Sequence, residues 1–337
     1  MDEATKVRRA CFAQLLPSAL PDPKPAEAYA PSNIALSKYW GKRNATLNLP
    51  LNSSLSISLA EWGTTTKVTP IDGNQDEVVF NGTELDNHSP FASKMLYFTS
   101  LFHRDENIRF RIETVNSIPT AAGLASSASG FAALTQAMAK AFHLDLSNKT
   151  LSILARIGSG SASRSFWHGF VRWNKGIRLD GTDSYAEPIS TTWKDFRIAI
   201  LPIDVRPKSQ SSRDGMNHTS DTSPLFSAWP ANAEADCATI EQAITAHDIE
   251  KLGETAEANA LAMHATMMAA RPSLCYLKPE SWIALETIWE ARAKGLQAYA
   301  TMDAGANVKL IFLENQETAV KELFPQANII CPFAHSA

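Results

Sequence analysis

The chain has 337 residues, 45% hydrophobic and 20% charged, a balance that excludes a disordered or low-complexity polymer and suits two domains or one large one. A formal net charge of -4 argues against nucleic-acid binding by bulk attraction, so any anion site must be a local patch. No run approaches the ~18 apolar residues of a membrane span, and the scattered Cys11, Cys237, Cys275 and Cys331 lack metal-ligand spacing and read as reduced thiols of a cytoplasmic protein.

In chain order, residues 1–24 read as a loose leader, because "LPSALPDPKP" is broken up by prolines. Strand-like runs follow in "AEAYAPSNIAL", "SLSISLA", "TTKVTPI" and "EVVFNG". "SPFASKMLYFTSLFHR" has helical spacing at Phe91, Met95, Phe98 and Phe102. "IRFRIETV" alternates as a strand, and a second helix places Phe131, Leu134, Met138 and Phe142 on one face. "LSILARI" predicts a short third helix and "GFVRWN" a strand. The character changes near 187–195. "FRIAILPIDV" is then a strong strand, residues 223–293 are mostly helical, and "LQAYATM" and "NVKLIFL" read as strands around a tight turn. The helix "QETAVKELF" and the strand "NIICPF" close the chain. Strands then helices, twice over, predict an α+β protein of two lobes, 25–190 and 191–337, with the cleft between them as the default ligand site.

Acidic residues are unevenly spread. There are 35 in the chain, yet 28–60, 114–144 and 146–179 contain none. Burial alone depletes acids, but it depletes lysine and arginine too, and these windows keep Lys38, Lys42, Arg43, Lys149, Arg156, Arg164, Arg172, Lys175 and Arg178. A polyanion site fits better, because a carboxylate beside bound phosphates costs Coulomb energy in a poorly solvated cleft.

Four short motifs carry the chemistry. "SIPTAAGLASSASGFAAL" runs from a proline-marked turn through small residues into a helix. Such a sequence lets an anion approach backbone N–H groups and a positive helix end, though a capped helix with a small-residue packing face reads equally well. "GSGSASRSFWHGF" leads straight into residues that demand burial, which favours a rigid polar turn over a linker, with Arg164 offering a fork for a carboxylate or phosphate. "RPKSQSSRDGM" gathers anion donors but taken alone is a surface loop. "TMDAGANVKL" puts Asp303 at a turn between two apolar strands, where Asp-x-Gly is most often an ordinary turn.

Taken together, "NIALSKYWGKRN", "PTAAGLASSASGFAAL", "GSGSASRSFWHGFVRW", "SSRDGM" and "DAGAN" resemble, in order, the signatures of the mevalonate diphosphate decarboxylase family of the GHMP kinase superfamily. The resemblance spans residues 28 to 307. It implies a GHMP kinase fold, with a ribosomal S5-like N-terminal lobe, a ferredoxin-like C-terminal lobe and the active site between them. It implies ATP-dependent decarboxylation of mevalonate 5-diphosphate to isopentenyl diphosphate, with ATP as co-substrate, Mg2+ beside it, and a homodimer; the charge and the lack of an apolar span already predict no nucleic-acid or membrane partner. The implied catalytic set is Asp303, Lys38 and Arg164. Substrate would be held by Asn33, Tyr39, Lys42, Ser159, Ser161, Ser212, Arg213 and Met216, and the ATP phosphates by Gly123, Leu124, Ala125, Ser126 and Ser127. No metal ligand is assigned. Ala306 stands where the family motif has proline, and Ser37 and Ser163 are smaller departures. The competing readings are a monophosphate-specific decarboxylase, a mevalonate 3-kinase, and a non-catalytic nucleotide sensor built on the same fold.

Overall fold

The structure is a computed structural model that describes residues 2–103, 108–118, 127–204, 206 and 210–334. In chain order its first half contains α1 (Glu3–Leu15), β1 (Ala26–Ser37), β2 (Lys42–Asn44), β3 (Leu49–Pro50), β4 (Ser54–Ile71), β5 (Glu77–Phe80), β6 (Thr83–Leu85), α2 (Pro90–Thr99), β7 (Arg109–Asn116), α3 (Ser127–Ala141), α4 (Asn148–Gly158), β8 (Phe170–Trp173) and β9 (Ala186–Pro188). The second half contains β10 (Phe196–Leu201), α5 (Ser212–Thr222), α6 (Trp229–Ala246), α7 (Ile249–Met268), α8 (Pro279–Ala293), β11 (Ala298–Met302), β12 (Val308–Leu313), α9 (Glu317–Leu323) and β13 (Asn328–Ile330).

The first half builds a sheet in the order β6-β5-β7-β4-β8-β9, with β1 on the other edge of β4. The predicted strands "SLSISLA" and "TTKVTPI" are one element. Residues 54–57 of β4 pair with β8 and residues 64–71 with β7, while β1 runs alongside both. The join is irregular: Pro31 pairs with Gly63 but Asn33 with Ser58, so residues 59–62 bulge opposite Ser32, and Ala60 takes a positive φ of 51°. A bulge of this kind re-aims side chains. Here it brings Ser32, Asn33 and Leu59 to the wall of the cleft.

The second half builds a smaller antiparallel sheet, β11-β12-β10-β13. Strands β10, β11 and β12 are buried along nearly their whole length, which explains their continuous apolar runs. The two sheets are not independent. One core cluster joins Ile34, Leu55, Ile57 and Phe170 of the larger sheet to Ile198, Ile200 and Ile311 of the smaller, with Ile240 and Ile244 of α6 and Leu252 of α7 between them. The α+β architecture of two lobes around a cleft is therefore present, with α6 and α7 as the shared layer.

The first residues correct the expectation of a loose leader over 1–24. Asp2 caps α1 by accepting from the Thr5 N–H at 2.7 Å, and Cys11, Phe12 and Leu16 are buried against the first core. The Phe12 ring meets Phe102 edge to face at 5.1 Å and Phe98 at 5.8 Å. The prolines lie beyond the helix, so they end it rather than prevent it. Phe12→Ala should cost about 3–5 kcal/mol of unfolding free energy, as buried Phe→Ala changes do. A shift in urea midpoint below that of an exposed α1 control such as Gln14→Ala would show that α1 is not part of the N-terminal core.

Candidate active site

Between the two sheets lies a cavity of about 630 Å³. Five cationic side chains are on its described wall, Lys38, Lys42, Lys94, Arg164 and Arg213, against only two carboxylates, Asp214 and Asp303. Each cation arrives on a different local structure, and each placement has a sequence reason.

Lys38 follows the last residue of β1 and is 1% exposed. Its Nζ donates to Asp303 Oδ1 at 2.9 Å and to the Ala35 carbonyl at 2.7 Å. Asp303 sits in the turn between β11 and β12, which are in register from Met302–Val308 onward. A second lysine, Lys309 of β12, donates to Asp303 Oδ2 at 3.1 Å, so each carboxylate oxygen has its own ammonium group. Burial alone would push the Asp303 carboxyl up, but the charges of Lys309 and Lys38 outweigh it and hold the group well below the usual carboxylate range. The side chain keeps 39% exposure, so its oxygens remain reachable from the cavity.

Arg164 closes a short 3-10 turn, Gly160–Arg164, directly after α4. It is 3% exposed, donates through Nη1 to Ser54 Oγ at 2.6 Å and through Nη2 to Asn33 Oδ1 at 3.3 Å. Its Nε has no partner among the described residues. Asn33 is oriented in turn by donating to Ser165 Oγ at 2.8 Å, and Ser159 and Ser161 hydroxyls lie 3.3 Å apart. Burial lowers the Arg164 pKa to about 10, still far enough above neutrality for a permanent charge.

The "KYWGK" segment has a steric logic. Gly41 adopts φ +107°, and a Cβ there would come within 2.6 Å of the Phe226 ring, so the turn that separates Trp40 from Lys42 needs glycine. Trp40 goes inward with Met216, Phe226 and Trp229, while Lys42 reaches the cavity. Gly160 is needed for close approach, since a Cβ would lie 2.7 Å from the Tyr39 ring. Tyr39 is thereby wedged against Trp173 at 4.8 Å, and its buried hydroxyl has no partner among the described residues. Burial pushes that phenol up, so it is a neutral donor.

Ser212, Arg213 and Met216 lie on α5, whose N-cap Ser211 accepts from the Asp214 N–H at 3.2 Å. The helix N-terminus and the Arg213 guanidinium thus face the same space, an arrangement that favours an anion. All the site residues predicted from sequence that the structure describes line this cavity, including Ser127, which opens α3. Gly123, Leu124, Ala125 and Ser126, expected at the ATP phosphates, lie outside the described residues.

Sequence reasoning missed Lys94, Lys309, Asn259 and His264. Lys94 was visible as a lysine on the apolar face of α2, beside Met95; its ammonium lies 4.7 Å from the Phe131 ring centre. Lys309 was visible as a lone charge in an apolar strand. Asn259 and His264 carry no such signal. The acid-poor windows also misled in part. Arg156 holds three main-chain carbonyls, those of Leu47, Gly181 and Ser184, while Arg172 pairs with Glu241, Lys175 with Glu234 and Arg178 with Asp180. Of that third window's six basic residues, only Arg164 faces the cavity.

A polyphosphate would find these cations strained by proximity and burial. Desolvation, with repulsion from Arg213, lowers Lys42 and Lys94 to about 8, and desolvation lowers Lys38 to about 8 despite Asp303. That is what an anion site looks like before its anion arrives, and it fits a nucleotide or diphosphate. Among the described residues no group of three His, Cys, Asp or Glu is placed to hold a metal ion.

A family model described as the diphosphomevalonate decarboxylase-like N-terminal domain matches residues 30–186, and one for the mevalonate 5-diphosphate decarboxylase C-terminal domain matches residues 198–333. The diphosphomevalonate decarboxylase of Aspergillus fumigatus is 37% identical over 316 residues, covering 88% of this chain and 78% of its own. A solved structure described as "MDDEF in complex with MVAPP, AMPPCP and Magnesium" superposes with a TM-score of 0.85 at 40% identity, covering 91% of this chain and 96% of that one. Mevalonate diphosphate decarboxylase from Staphylococcus aureus gives 0.85 at 38% identity, covering 91% and 95%.

Anion binding should return the depressed lysines toward their ordinary values. Proton uptake should therefore accompany binding of sulfate, an anion that does not itself titrate in this range, between about pH 8 and 9, and fade below about pH 7, where all three are already charged. Titration calorimetry in two buffers of different ionisation heat measures the protons taken up; a value of zero across that range would contradict the electrostatic account.

Proposed function

The chain belongs to the diphosphomevalonate decarboxylase family, and from that premise we propose how its residues divide the labour of an ATP-dependent carboxy-lyase that converts mevalonate 5-diphosphate to isopentenyl diphosphate, ADP, phosphate and CO2. The observation that carries the proposal is Asp303, a reachable carboxylate gripped at both oxygens by lysines in a cavity otherwise dominated by positive charge.

The substrate's tertiary C3 hydroxyl is a weak nucleophile and a worse leaving group, so it is first phosphorylated by ATP. Asp303 accepts the hydroxyl's hydrogen bond and aims the oxygen at the γ-phosphorus. With Lys38 and Lys309 in place it is a weak base, which suits phosphoryl transfer through a loose transition state, where the proton need leave only late. The P–O bond forms at the C3 oxygen, the bond to ADP breaks, and the proton departs along the hydrogen bond to Asp303. The C3–O bond then breaks with its electron pair going to phosphate. The C1–C2 bond electrons become the new C2–C3 double bond, and CO2 is released.

Arg164, oriented by Ser54 and Asn33, holds the C1 carboxylate with the guanidinium N–H donors that those two contacts leave over. Tyr39, Lys42, Ser212 and Arg213 grip the diphosphate, with Ser159, Ser161 and Met216 along the wall. Ser127 at the start of α3 and Lys94 face the ATP phosphates. Mg2+ would neutralise phosphate charge; with no carboxylate cage among the described residues, phosphate oxygens and water would supply most of its shell, and the Ser127 hydroxyl on the cavity wall would be a protein oxygen within the same space. A homodimer and a cytoplasmic setting belong to the same reading, supported by family likeness and by four free thiols.

Release of CO2 and ADP in equal amounts from ATP and mevalonate 5-diphosphate should be seen, with the 5-monophosphate much poorer. Asp303→Asn should lose about 10²–10⁴ in kcat. ADP without CO2 would make the chain a 3-kinase instead. Lys309→Met removes one of the two charges that depress the Asp303 carboxyl, so its folded pKa rises, and the Asp303 carboxyl 13C signal should titrate at higher pH than in wild type. A carboxyl signal that titrates no higher than in wild type would mean that Lys309 does not tune Asp303.

A further inference from the structure

The reacting pair is assembled from opposite lobes, and the contact is long in sequence. Lys38 comes from the end of β1 and Asp303 from the β11–β12 turn, 265 residues away. Their side chains meet at 2.9 Å, and where they meet depends on how the two main chains are held. Helix α7 touches both.

On the Lys38 side, Asn259 Oδ1 accepts from the Lys38 main-chain N–H at 2.8 Å. The Asn259 amide is itself oriented, because its Nδ2 donates to Asp236 of α6 at 2.9 Å. The Lys38 carbonyl accepts from Asn52 Nδ2 at 2.9 Å, so both polar groups of that peptide position are fixed. On the Asp303 side, His264 Nε2 lies 3.1 Å from the Asp303 main-chain oxygen. A carbonyl oxygen only accepts, so the imidazole must carry its hydrogen on Nε2. Burial, with repulsion from Lys38, lowers the ring's pKa to about 4, so it is neutral in this role. His264 is five positions beyond Asn259, about 7.5 Å along the helix. Both are fully buried, at 0% and 1% exposure, and neither lines the cavity.

We propose that α7 is a strut in which Asn259 and His264 are positioning residues that set the register of Lys38 against Asp303 across the two lobes. The Asp303 turn has need of one. Ser281 Oγ donates to the Ala306 carbonyl and Asn307 accepts from the N–H groups of Ile203 and Asp204, which anchors the far end of the turn. The near end has its carboxylate held by Lys309 and Lys38, and its main-chain oxygen is held by His264. Without a proline at 306 to stiffen the loop, that tie fixes the direction of Asp303.

This inference rests on the proposed decarboxylase reading, and the experiment separates the two. Full-length wild type, His264→Leu, His264→Gln, Asn259→Leu and the Leu/Leu double variant are assayed for CO2 and ADP, alongside thermal unfolding. A misplacement of about 1 Å at a reacting centre costs on the order of 10²-fold. His264→Leu should therefore lose about 10- to 100-fold in kcat with both KM values within about threefold, and His264→Gln, which keeps a donor, should recover most of it. The double variant should lose less than the product of the singles, because both act through one pair. If His264→Leu keeps wild-type kcat, or if Gln restores nothing while Tm recovers, the strut is wrong. A wild type that releases no CO2 defeats the decarboxylase reading itself. Should the leucine variants fail to fold, 15N-histidine spectra of wild type decide: a neutral Nε2–H tautomer that does not titrate between pH 5 and 8 is expected, and an Nδ1–H form or a charged ring overturns the proposal.

Discussion

The constraint on which the site depends is the burial of positive charge without enough protein carboxylate to balance it. Asp303 is shared by Lys38 and Lys309, and Arg164 stands nearby with only neutral partners. A buried cation loses several kcal/mol of hydration that hydrogen bonds to serine and asparagine restore only in part. The lowered pKa values of Lys38, Lys42 and Lys94 are the visible form of that cost. Charge of the opposite sign has to be brought in, and a diphosphate together with a nucleotide triphosphate brings it. Affinity and charge balance are thus one property of this cleft.

Holding such cations at fixed positions requires a rigid frame, and the frame is built from small local irregularities. The bulge at residues 59–62 turns Ser32 and Asn33 toward the cleft, Gly41 lets the chain reverse between Trp40 and Lys42, and Gly160 admits the Tyr39 ring. Each lies at or beside a residue that lines the cavity. Arg156 serves the same frame from outside: its guanidinium ties the Leu47 carbonyl to those of Gly181 and Ser184, which steadies the strands behind Lys42. Between the lobes, α6 and α7 share their apolar faces with both sheets, so the cleft is lined by one continuous packed body.

Charge patterning along the chain was a partial guide. It pointed to Lys38, Lys42 and Arg164, which do face the cavity. It also pointed to Arg172, Lys175 and Arg178, whose carboxylate partners come from elsewhere: Glu241 and Glu234 lie on α6, and Asp180 lies just past the window's edge. An acid-free window excludes only local neutralisation. The leader was misread for a related reason. Prolines at 17, 21, 23 and 25 dominate its composition, whereas Asp2 as a cap and Phe12 as an anchor are single residues whose effect depends on what they meet.

What the sequence determined by itself was chemical inventory and local form: the two-lobed α+β class, the apolar strands, the glycine turns, the aspartate between β11 and β12, and the motifs whose order identifies the family. Those signals are short-range, since hydrophobic period, turn chemistry and motif spacing all operate within a few residues. Tertiary structure alone decided that Asp303 has two lysines rather than one, that Lys94 joins the cationic wall, and that Asn259 and His264 brace the reacting pair. Those facts depend on the docking of two sheets through α6 and α7. A contact between residues 265 apart leaves no periodicity in the chain to read.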